Sequence, residues 1–212
     1  MAVHGNVCAV ISLDRRLLVS CATRRGGLAV RDIFPLAFAV DERLARRIRA
    51  LPHARSLDHA LAGWSVAVEH GRLWVAVGAL GALGALGDGA RREQWARGLT
   101  AVCATELAVQ ALKGSVRRER LMLPGYPALA ATPSRFSFPS AHTATTAAAT
   151  VFAPLVPGLP WCSVLGAMAF SRVYLGVHFP SDVAVGGLTG LLVGTLACSA
   201  GDIQRRSADT AR

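Results

Sequence analysis

The sequence predicts an all-α fold, a polytopic membrane helical bundle of about five to six spans with an N-terminal amphipathic helical extension. Of the 212 residues, 52% are hydrophobic and only 17% are charged, and the mean hydropathy is +0.40, which is too apolar for a soluble domain of this length. Apolar runs alternate with short arginine-rich stretches, as spans alternate with loops in membrane proteins. The net charge of +10 does not predict nucleic-acid binding, because no recognition motif accompanies it.

Residues 1–56 form the predicted extension, in which no segment is long enough to cross a bilayer and none ends in a signal cleavage site. We therefore expect no removed signal peptide. Over residues 34–54, the apolar residues that recur at helical spacing are Leu36, Val40, Leu44, Ile48 and Leu51. The charged residues on the other face are Asp41, Glu42, Arg43, Arg46, Arg47 and Arg49. This pattern predicts an amphipathic helix that either lies in the lipid headgroup region or packs on the cytoplasmic side of the protein.

Residues 57–201 form the predicted membrane domain, and residues 202–212 form a polar tail. The apolar segments expected to be helices are 57–68, 73–87, 98–112, 140–156, 161–177 and 183–200. In the second segment, glycines recur every three residues from Gly78 to Gly87. This spacing predicts a smooth ridge against which a neighbouring helix packs closely. Proline and glycine residues place the stretch from Lys113 to Ser137 in a loop over the site.

Functional side chains fall into three short clusters within otherwise apolar sequence. The clusters are Lys113 with Arg120, the segment Phe138-Pro139-Ser140-Ala141-His142, and Ser171-Arg172 with His178 and Asp182. Fixed cations and a helix N-terminus suit phosphate oxygens, and two histidines allow one nucleophile and one proton donor. Counting the spans between the clusters brings all three to one face of the membrane. The residue types therefore predict a phosphoryl-transfer site at that face.

The three clusters resemble the signature motifs of the type 2 phosphatidic acid phosphatase family, the lipid phosphate phosphatases, which run K-x6-R-P, P-S-G-H and S-R-x5-H-x3-D. Order and internal spacing agree over most of the membrane domain. Leu121 stands where the family has proline, and Ala141 stands where it has glycine and adds a Cβ where backbone approaches phosphate. The resemblance implies a membrane lipid phosphatase. A haloperoxidase-like vanadate enzyme and a catalytically silent lipid-phosphate-binding protein are the alternatives.

The resemblance also implies the role of each residue. His178 would attack phosphorus to give a phosphohistidine, Asp182 would fix the tautomer of His178, and His142 would protonate the leaving alcohol. The residues expected to hold the phosphate oxygens are Lys113, Arg120, Ser140, Ala141 and Arg172. No metal or other cofactor is expected. A zinc site made of His142, His178 and Asp182 is the alternative, which the nearby cations disfavour.

Polar residues outside the motifs are candidates for supporting roles around the site. They are Glu69, His70, Arg117 and Arg118. Glu69 and His70 end an apolar segment, where polar residues are also common for purely interfacial reasons. Glu106 and Gln110 lie inside the next apolar segment, and a carboxylate within the membrane is a functional candidate, although both side chains could instead bond other helices.

The resemblance implies a lipid phosphate as substrate and membrane lipids as surroundings. The Ala, Arg and Gly bias is similar to that of small actinobacterial members of the family, which implies a polyprenyl-linked phosphate such as decaprenylphosphoryl-5-phosphoribose. Phosphatidate, phosphatidylglycerophosphate and undecaprenyl pyrophosphate are the alternatives, and the oligomeric state is left open.

The distribution of arginines predicts the orientation of the protein in the membrane. The face opposite the site carries five arginines, Arg91, Arg92, Arg97, Arg205 and Arg206. The site face carries three that are not assigned to phosphate, Arg117, Arg118 and Arg135. This bias predicts a site on the extracytoplasmic side of the cell inner membrane.

Overall fold

The computed structural model describes residues 35–210, with side chains from residue 37 to residue 200. Within that range the chain forms seven α-helices and contains no strand, which confirms the predicted helical class. The helices are α1 Pro35–Arg49, α2 Arg55–Val68, α3 Arg72–Gly84, α4 Gly89–Val116, α5 Ala141–Ala148, α6 Trp161–Tyr174 and α7 Pro180–Thr210. Most of the predicted extension (residues 1–34), the last two residues and the side chains of the predicted tail lie outside the described residues.

Two stretches of the described chain are long and apolar enough to cross a membrane, Arg55–Gly84 and Pro180–Ala200. The first combines two of the predicted segments, because only a 3₁₀ turn, Glu69–Gly71, joins α2 to α3. In this turn His70 has a φ of 54° and Gly71 a φ of 71°, so the chain bends here. The count of five to six spans stays a prediction.

The bundle is arranged around α5 and α7, which lie side by side. α4 packs against both of them, α3 pairs with α4, and α6 contacts both α5 and α7. The backbone N–H of Ser140, just before α5, donates to the carbonyl oxygen of Asp182 in α7 at 2.9 Å. The starts of α5 and α7 therefore lie together at one end of the bundle.

Close helix packing depends on three glycines of α7 that share one face. A Cβ added to Gly186 would lie 2.5 Å from the carbonyl oxygen of Ser140, and one added to Gly190 would overlap the carbonyl group of Ala144. A Cβ on Gly194 would lie 3.0 Å from the side chain of Val151, in the 3₁₀ turn Ala149–Phe152 that follows α5. Because these glycines are four residues apart, they stay on one side of the helix and let the α5 backbone approach.

The first two glycines of the predicted ridge face the neighbouring helix α4, as expected, and the last two do not. A Cβ added to Gly78 would lie 3.3 Å from Cβ of Leu99 in α4 and 2.9 Å from the ring of Phe152, and one added to Gly81 would overlap the ring of Trp95 in α4. A Cβ added to either of the last two glycines would meet nothing within 4 Å. A three-residue spacing drifts around a helix of 3.6 residues per turn, so the four glycines do not face one partner. The rings of Phe152 and Trp95 belong to the main hydrophobic cluster of the bundle.

Helix α1 packs on α6 and α7, and its inward face differs from the predicted one. The inward residues are Phe38, Asp41, Ala45, Ile48 and Arg49. Val40 and Leu44, from the predicted apolar face, are 48% and 44% exposed, whereas Asp41 and Arg49 are 6% and 3% exposed. Arg49 donates to the carbonyl oxygen of Tyr174 at 2.6 Å. Polar contacts thus help to hold this helix on the bundle, and the spacing of apolar residues in the sequence does not predict such contacts.

Candidate active site

The three motif clusters surround one cavity of about 190 Å³. Lys113 lies in the last turn of α4, Ser140 caps α5, Arg172 lies in the last turn of α6 and Asp182 in the first turn of α7. The residues that line the cavity are Glu69, His70, Gln110, Lys113, Arg120, Thr132, Pro133, Ser134, Ala141, His142, Arg172 and His178. Residues 132–134 belong to the loop between α4 and α5, which was expected to lie over the site.

Three cations at this cavity pair with no carboxylate of the described side chains. Lys113 is 7% exposed and Arg172 is 1% exposed. Arg172 donates to Oγ of Ser65, and Arg120 donates to the carbonyl oxygen of Ser134 at 2.6 Å and to a second carbonyl oxygen. Within the described part of the chain, none of the three forms an ion pair. Because buried positive charge is costly without a counter-ion, the cavity suits an anionic group such as phosphate.

His178 lies between charged groups in the connection from α6 to α7. Its side chain is 1% exposed, its Nε2 lies 3.4 Å from Nη1 of Arg120, and its Nδ1 lies 3.5 Å from Oδ2 of Asp182. Burial, followed by the positive charges of Arg172, Arg120 and Lys113, holds the pKa of His178 well below its ordinary value of 6.5. The imidazole is therefore neutral near pH 7, and one of its ring nitrogens keeps a free lone pair.

Asp182 is fully buried, and both of its carboxylate oxygens accept hydrogen bonds. Oδ2 accepts from the backbone N–H of Phe179, and Oδ1 accepts from Nη1 of Arg118, each at 2.9 Å. Arg118 therefore lies behind the carboxylate and not in the cavity. The neighbouring Arg117 does not line the cavity either, because it ends α4 and donates to the carbonyl oxygen of Gly114 at 2.9 Å.

Ser65 on α2 contacts both His142 and Arg172, and no sequence pattern marks it. Nε2 of His142 lies 2.9 Å from the carbonyl oxygen of Ser65. A carbonyl oxygen only accepts, so Nε2 carries the proton and Nδ1 is the basic nitrogen of the neutral ring. The hydroxyl oxygen of Ser65 accepts from Nη1 of Arg172. One residue of α2 thus orients a histidine and an arginine of two different motifs.

The start of α5 offers free backbone N–H groups beside the cavity. Ser140 is its N-cap, with a side chain that accepts from the backbone N–H of Thr143. Ala141 lines the cavity at the position where the resemblance expects glycine, and it also packs against Val109 and Ala144. A helix N-terminus carries a partial positive charge, so the cationic side of the cavity includes backbone as well as side chains.

A further part of the cavity wall is polar and carries negative charge. Glu69 and His70, in the bend between α2 and α3, line it together with Gln110 of α4. Nδ1 of His70 lies 2.9 Å from Oε1 of Glu106, which also accepts from Nε2 of Gln110 at 2.6 Å. The second carboxylate oxygen of Glu106 is buried without a partner. Hydrogen-bond acceptors therefore lie close to the three cations.

The zinc alternative requires His142, His178 and Asp182 to converge on one ion. Among the side chains of residues 37–200, no group of three His, Cys, Asp or Glu is suited to a metal ion. Instead, His142 bonds to Ser65 and Asp182 bonds to Arg118. The geometry does not support the zinc alternative.

Several known proteins are similar to this chain. The phosphatases named decaprenylphosphoryl-5-phosphoribose phosphatase from Mycobacterium tuberculosis and Mycolicibacterium smegmatis are 40% and 44% identical to it over 174 and 150 residues. The matches cover 80% and 70% of this chain, and 90% and 77% of the relatives. A solved structure, a transmembrane PAP2 type phosphatidylglycerolphosphate phosphatase from Bacillus subtilis, shares the fold with a TM-score of 0.66 at 20% identity, over 92% of this chain and 95% of the other. The family model of the PAP2 superfamily matches residues 95–205, which include all three clusters, and the chain therefore belongs to the PAP2 superfamily.

Proposed function

We propose that this membrane lipid phosphatase hydrolyses the phosphomonoester of a polyprenyl-linked lipid such as decaprenylphosphoryl-5-phosphoribose. The observation that carries the site assignment is the cavity, where Lys113, Arg120 and Arg172 lie beside His142 and His178 and form no ion pair with any carboxylate of the described residues. The names of the two mycobacterial relatives support the choice of lipid. Phosphatidate, phosphatidylglycerophosphate and undecaprenyl pyrophosphate are the competing substrates.

The proposed reaction has two steps. Nε2 of His178 attacks phosphorus, the bond to the alcohol oxygen breaks, and His142, protonated on Nδ1, gives its proton to that oxygen. His142 then takes a proton from water, which attacks the phosphohistidine, releases phosphate and regenerates His178. Asp182 keeps the proton of His178 on Nδ1 and offsets the positive charge that develops on the ring.

The phosphate oxygens have a defined set of partners in this mechanism. Lys113, Arg120 and Arg172, with the backbone N–H groups at the start of α5, stabilise the three equatorial oxygens as phosphorus becomes five-coordinate. These fixed charges supply the stabilisation that a magnesium ion gives in other phosphatases. We therefore expect catalysis without a metal.

The carboxylates beside the cavity favour a monophosphate over a pyrophosphate. Glu69 lines the cavity, and Glu106 lies behind His70. A second phosphate group in this part of the cavity would meet negative charge, whereas the hydroxyl groups of a sugar would find acceptors. This arrangement supports a phosphomonoester that is attached to a hydroxylated group, as in a phosphoribosyl lipid.

Phosphate release by purified protein in detergent tests the proposed substrate. A panel of the four lipids should give the highest kcat/KM for decaprenylphosphoryl-5-phosphoribose, by roughly tenfold or more, and His178→Ala serves as the inactive control. A higher kcat/KM for undecaprenyl pyrophosphate would show that the proposed substrate is wrong. Binding of every lipid without release of phosphate would instead establish a silent binding protein.

We also propose a multi-pass protein of the cell inner membrane, with about five to six spans and a site on the extracytoplasmic side. Arg91 and Arg92 lie at the start of α4, away from the site. Helix α1 contacts the site end of the bundle and carries Arg43 and Arg47 there, so counting arginines no longer separates the two faces. The proposed orientation therefore depends on the resemblance to the family.

Thiol labelling of intact cells tests the orientation with two single-cysteine variants in which the five native cysteines are replaced. Met122, in the loop on the site side, is 88% exposed, and a Cβ added to Gly87, between α3 and α4, would meet nothing within 4 Å. A membrane-impermeant reagent should label Met122→Cys and leave Gly87→Cys unlabelled. The reverse pattern would place the site in the cytoplasm.

A further inference from the structure

We propose that Asp41, on helix α1, is a positioning residue that acts on the nucleophile through Arg118 and Asp182. Asp41 lies outside residues 95–205, the part of the chain that matches the PAP2 superfamily model. The inference rests on the proposed roles of His178 and Asp182. It gives α1 a part in the reaction, in addition to its packing on the bundle.

A continuous row of charged side chains leads from α1 to the nucleophile. The carboxylate of Asp41 is 7% exposed, and its Oδ2 accepts from Nη2 of Arg118 at 2.7 Å. The other terminal nitrogen of Arg118, Nη1, donates to Oδ1 of Asp182 at 2.9 Å. The second oxygen of Asp182 lies 3.5 Å from Nδ1 of His178. A single guanidinium group thus connects a carboxylate of α1 to the carboxylate beside His178.

The guanidinium group of Arg118 makes further contacts through its ring-facing side and one of its terminal nitrogens. It lies over the ring of Phe179, at 3.9 Å from the ring centre, and is 5.3 Å from the ring centre of Phe38 on α1. Its Nη1 also donates to Oγ of Ser181 at 2.6 Å. The backbone N–H of Ser181 donates to Oδ1 of Asp41 at 2.9 Å. Because Arg118 is only 10% exposed, water does not readily replace Asp41 as its partner.

The charges of this row explain what Asp41 contributes. Arg118 carries one positive charge and contacts two carboxylates, so the three groups together carry one net negative charge next to His178. His178 becomes positive when it attacks phosphorus, and a negative neighbour stabilises that state. Without the charge of Asp41, Arg118 would offset Asp182 completely. The attack step would then lose stabilisation, and burial makes such losses larger than at the surface.

Asp41→Asn tests this role because it removes the charge and keeps the shape of the side chain. We expect kcat to fall roughly tenfold, equivalent to about 1.4 kcal/mol, with KM changed less than about twofold, since Asp41 does not line the cavity. Glu42→Gln is the matched control on the same helix, because Glu42 is 39% exposed and pairs with Arg46 one turn further along the same helix. It should leave kcat unchanged.

Two further variants separate charge from packing. Asp41→Glu keeps the charge and should retain kcat closer to that of the wild type, even if α1 packs less well. Ile48→Ala loosens the packing of α1 without touching the row, and should lower the melting temperature in detergent while kcat is retained below that temperature. A fall in kcat for Ile48→Ala equal to that for Asp41→Asn would overturn the inference. The same conclusion would follow if folded Asp41→Glu lost as much kcat as Asp41→Asn.

A double-mutant cycle then tests whether Asp41 acts through Arg118. In an Arg118→Gln background, Asp41→Asn should cause no further loss of kcat. A similar loss in both backgrounds, or a change in KM alone, would contradict the inference. Turnover of the lipid panel by the wild type is measured first, so that failure of the proposed function is distinguished from failure of the role of Asp41.

Discussion

Replacement of Gly190 by alanine tests whether the contact between α5 and α7 sets the geometry of the site. The added Cβ would overlap the carbonyl group of Ala144 and lie 2.8 Å from Cβ of Ala147. Non-bonded carbon atoms pack at about 3.5–4.0 Å, so the two helices must separate by about 1 Å. Most of this separation is unavoidable, because the atoms in the way belong to the α5 backbone and to a Cβ.

A shift between these helices changes the distance between the two histidines of the site. His142 precedes Ala144 by two residues on α5, whereas His178 lies two residues before the start of α7 and about three turns before Gly190. A misplacement of about 1 Å between reacting groups costs roughly 100-fold in rate, and overpacking costs about 1–3 kcal/mol in the free energy of unfolding. We therefore expect kcat/KM to fall roughly 100-fold and the melting temperature in detergent to fall as well.

Two other glycines of α7 provide graded controls. A Cβ on Gly187 would make an ordinary contact of 3.8 Å with Thr143, and one on Gly194 would lie 3.0 Å from the side chain of Val151. Phosphate release should therefore be close to wild type for Gly187→Ala, somewhat reduced for Gly194→Ala and lowest for Gly190→Ala. Equal activities of the Gly187 and Gly190 variants would refute the dependence of the site on this helix contact.

Three other predictions concern the site itself. Ser65→Ala removes the hydroxyl group that accepts a hydrogen bond from Arg172. Because loss of a hydrogen bond to a charged group costs about 1.5–3 kcal/mol, kcat/KM should fall by roughly 10- to 100-fold. Ser115→Ala, on the exposed surface of α4, is the control and should leave kcat/KM unchanged. Because the pKa of His178 is held well below 6.5, the imidazole stays neutral in the free enzyme, and protonation of His178 should lower kcat/KM only when the pH falls well below 6.5. The contribution of neutral, buried His178 to the free energy of unfolding is likewise lost only as the pH falls below the pKa of histidine in the unfolded chain. A loss of kcat/KM on acidification that already begins at or above pH 6.5 would contradict the assignment. Vanadate should inhibit as an analogue of the five-coordinate transition state, and EDTA should not; activity lost in EDTA and restored by zinc or magnesium would show that a metal is required.

The site residues that could be predicted from the sequence are those that occur in spaced groups. Lys113 with Arg120, and His178 with Asp182, have fixed separations and types, and the structure brings these clusters around one cavity. Ser65 could not be predicted, because its contacts to His142 and Arg172 are made across long stretches of chain by a single hydroxyl group and a carbonyl oxygen. Such contacts leave no periodicity or spacing in the sequence.

Helix α1 shows a second reason why sequence patterns are incomplete. Apolar periodicity predicts that Asp41 and Arg49 face away from the core, but both are buried because each finds polar partners on α6, α7 or the adjoining loops. Burial of a charged side chain depends on those partners being present in three dimensions. The glycine repeat shows a related limit, because Gly78 and Gly81 face α4 as the spacing predicts, but aromatic rings fill most of the space beside them. A local repeat does not specify which side chains its neighbour presents.

Covalent attachment of phosphate to His178 is the measurement that would decide the mechanism. Purified protein is mixed with a lipid substrate that carries a radiolabelled phosphomonoester, quenched in alkali, where a phosphohistidine is stable, and digested for peptide mapping. The proposed mechanism predicts transient label on the peptide that contains His178, and no label in His178→Ala, which should remain folded in detergent. Label on a different residue, or turnover of the wild type that continues without any labelled intermediate, would contradict nucleophilic catalysis by His178.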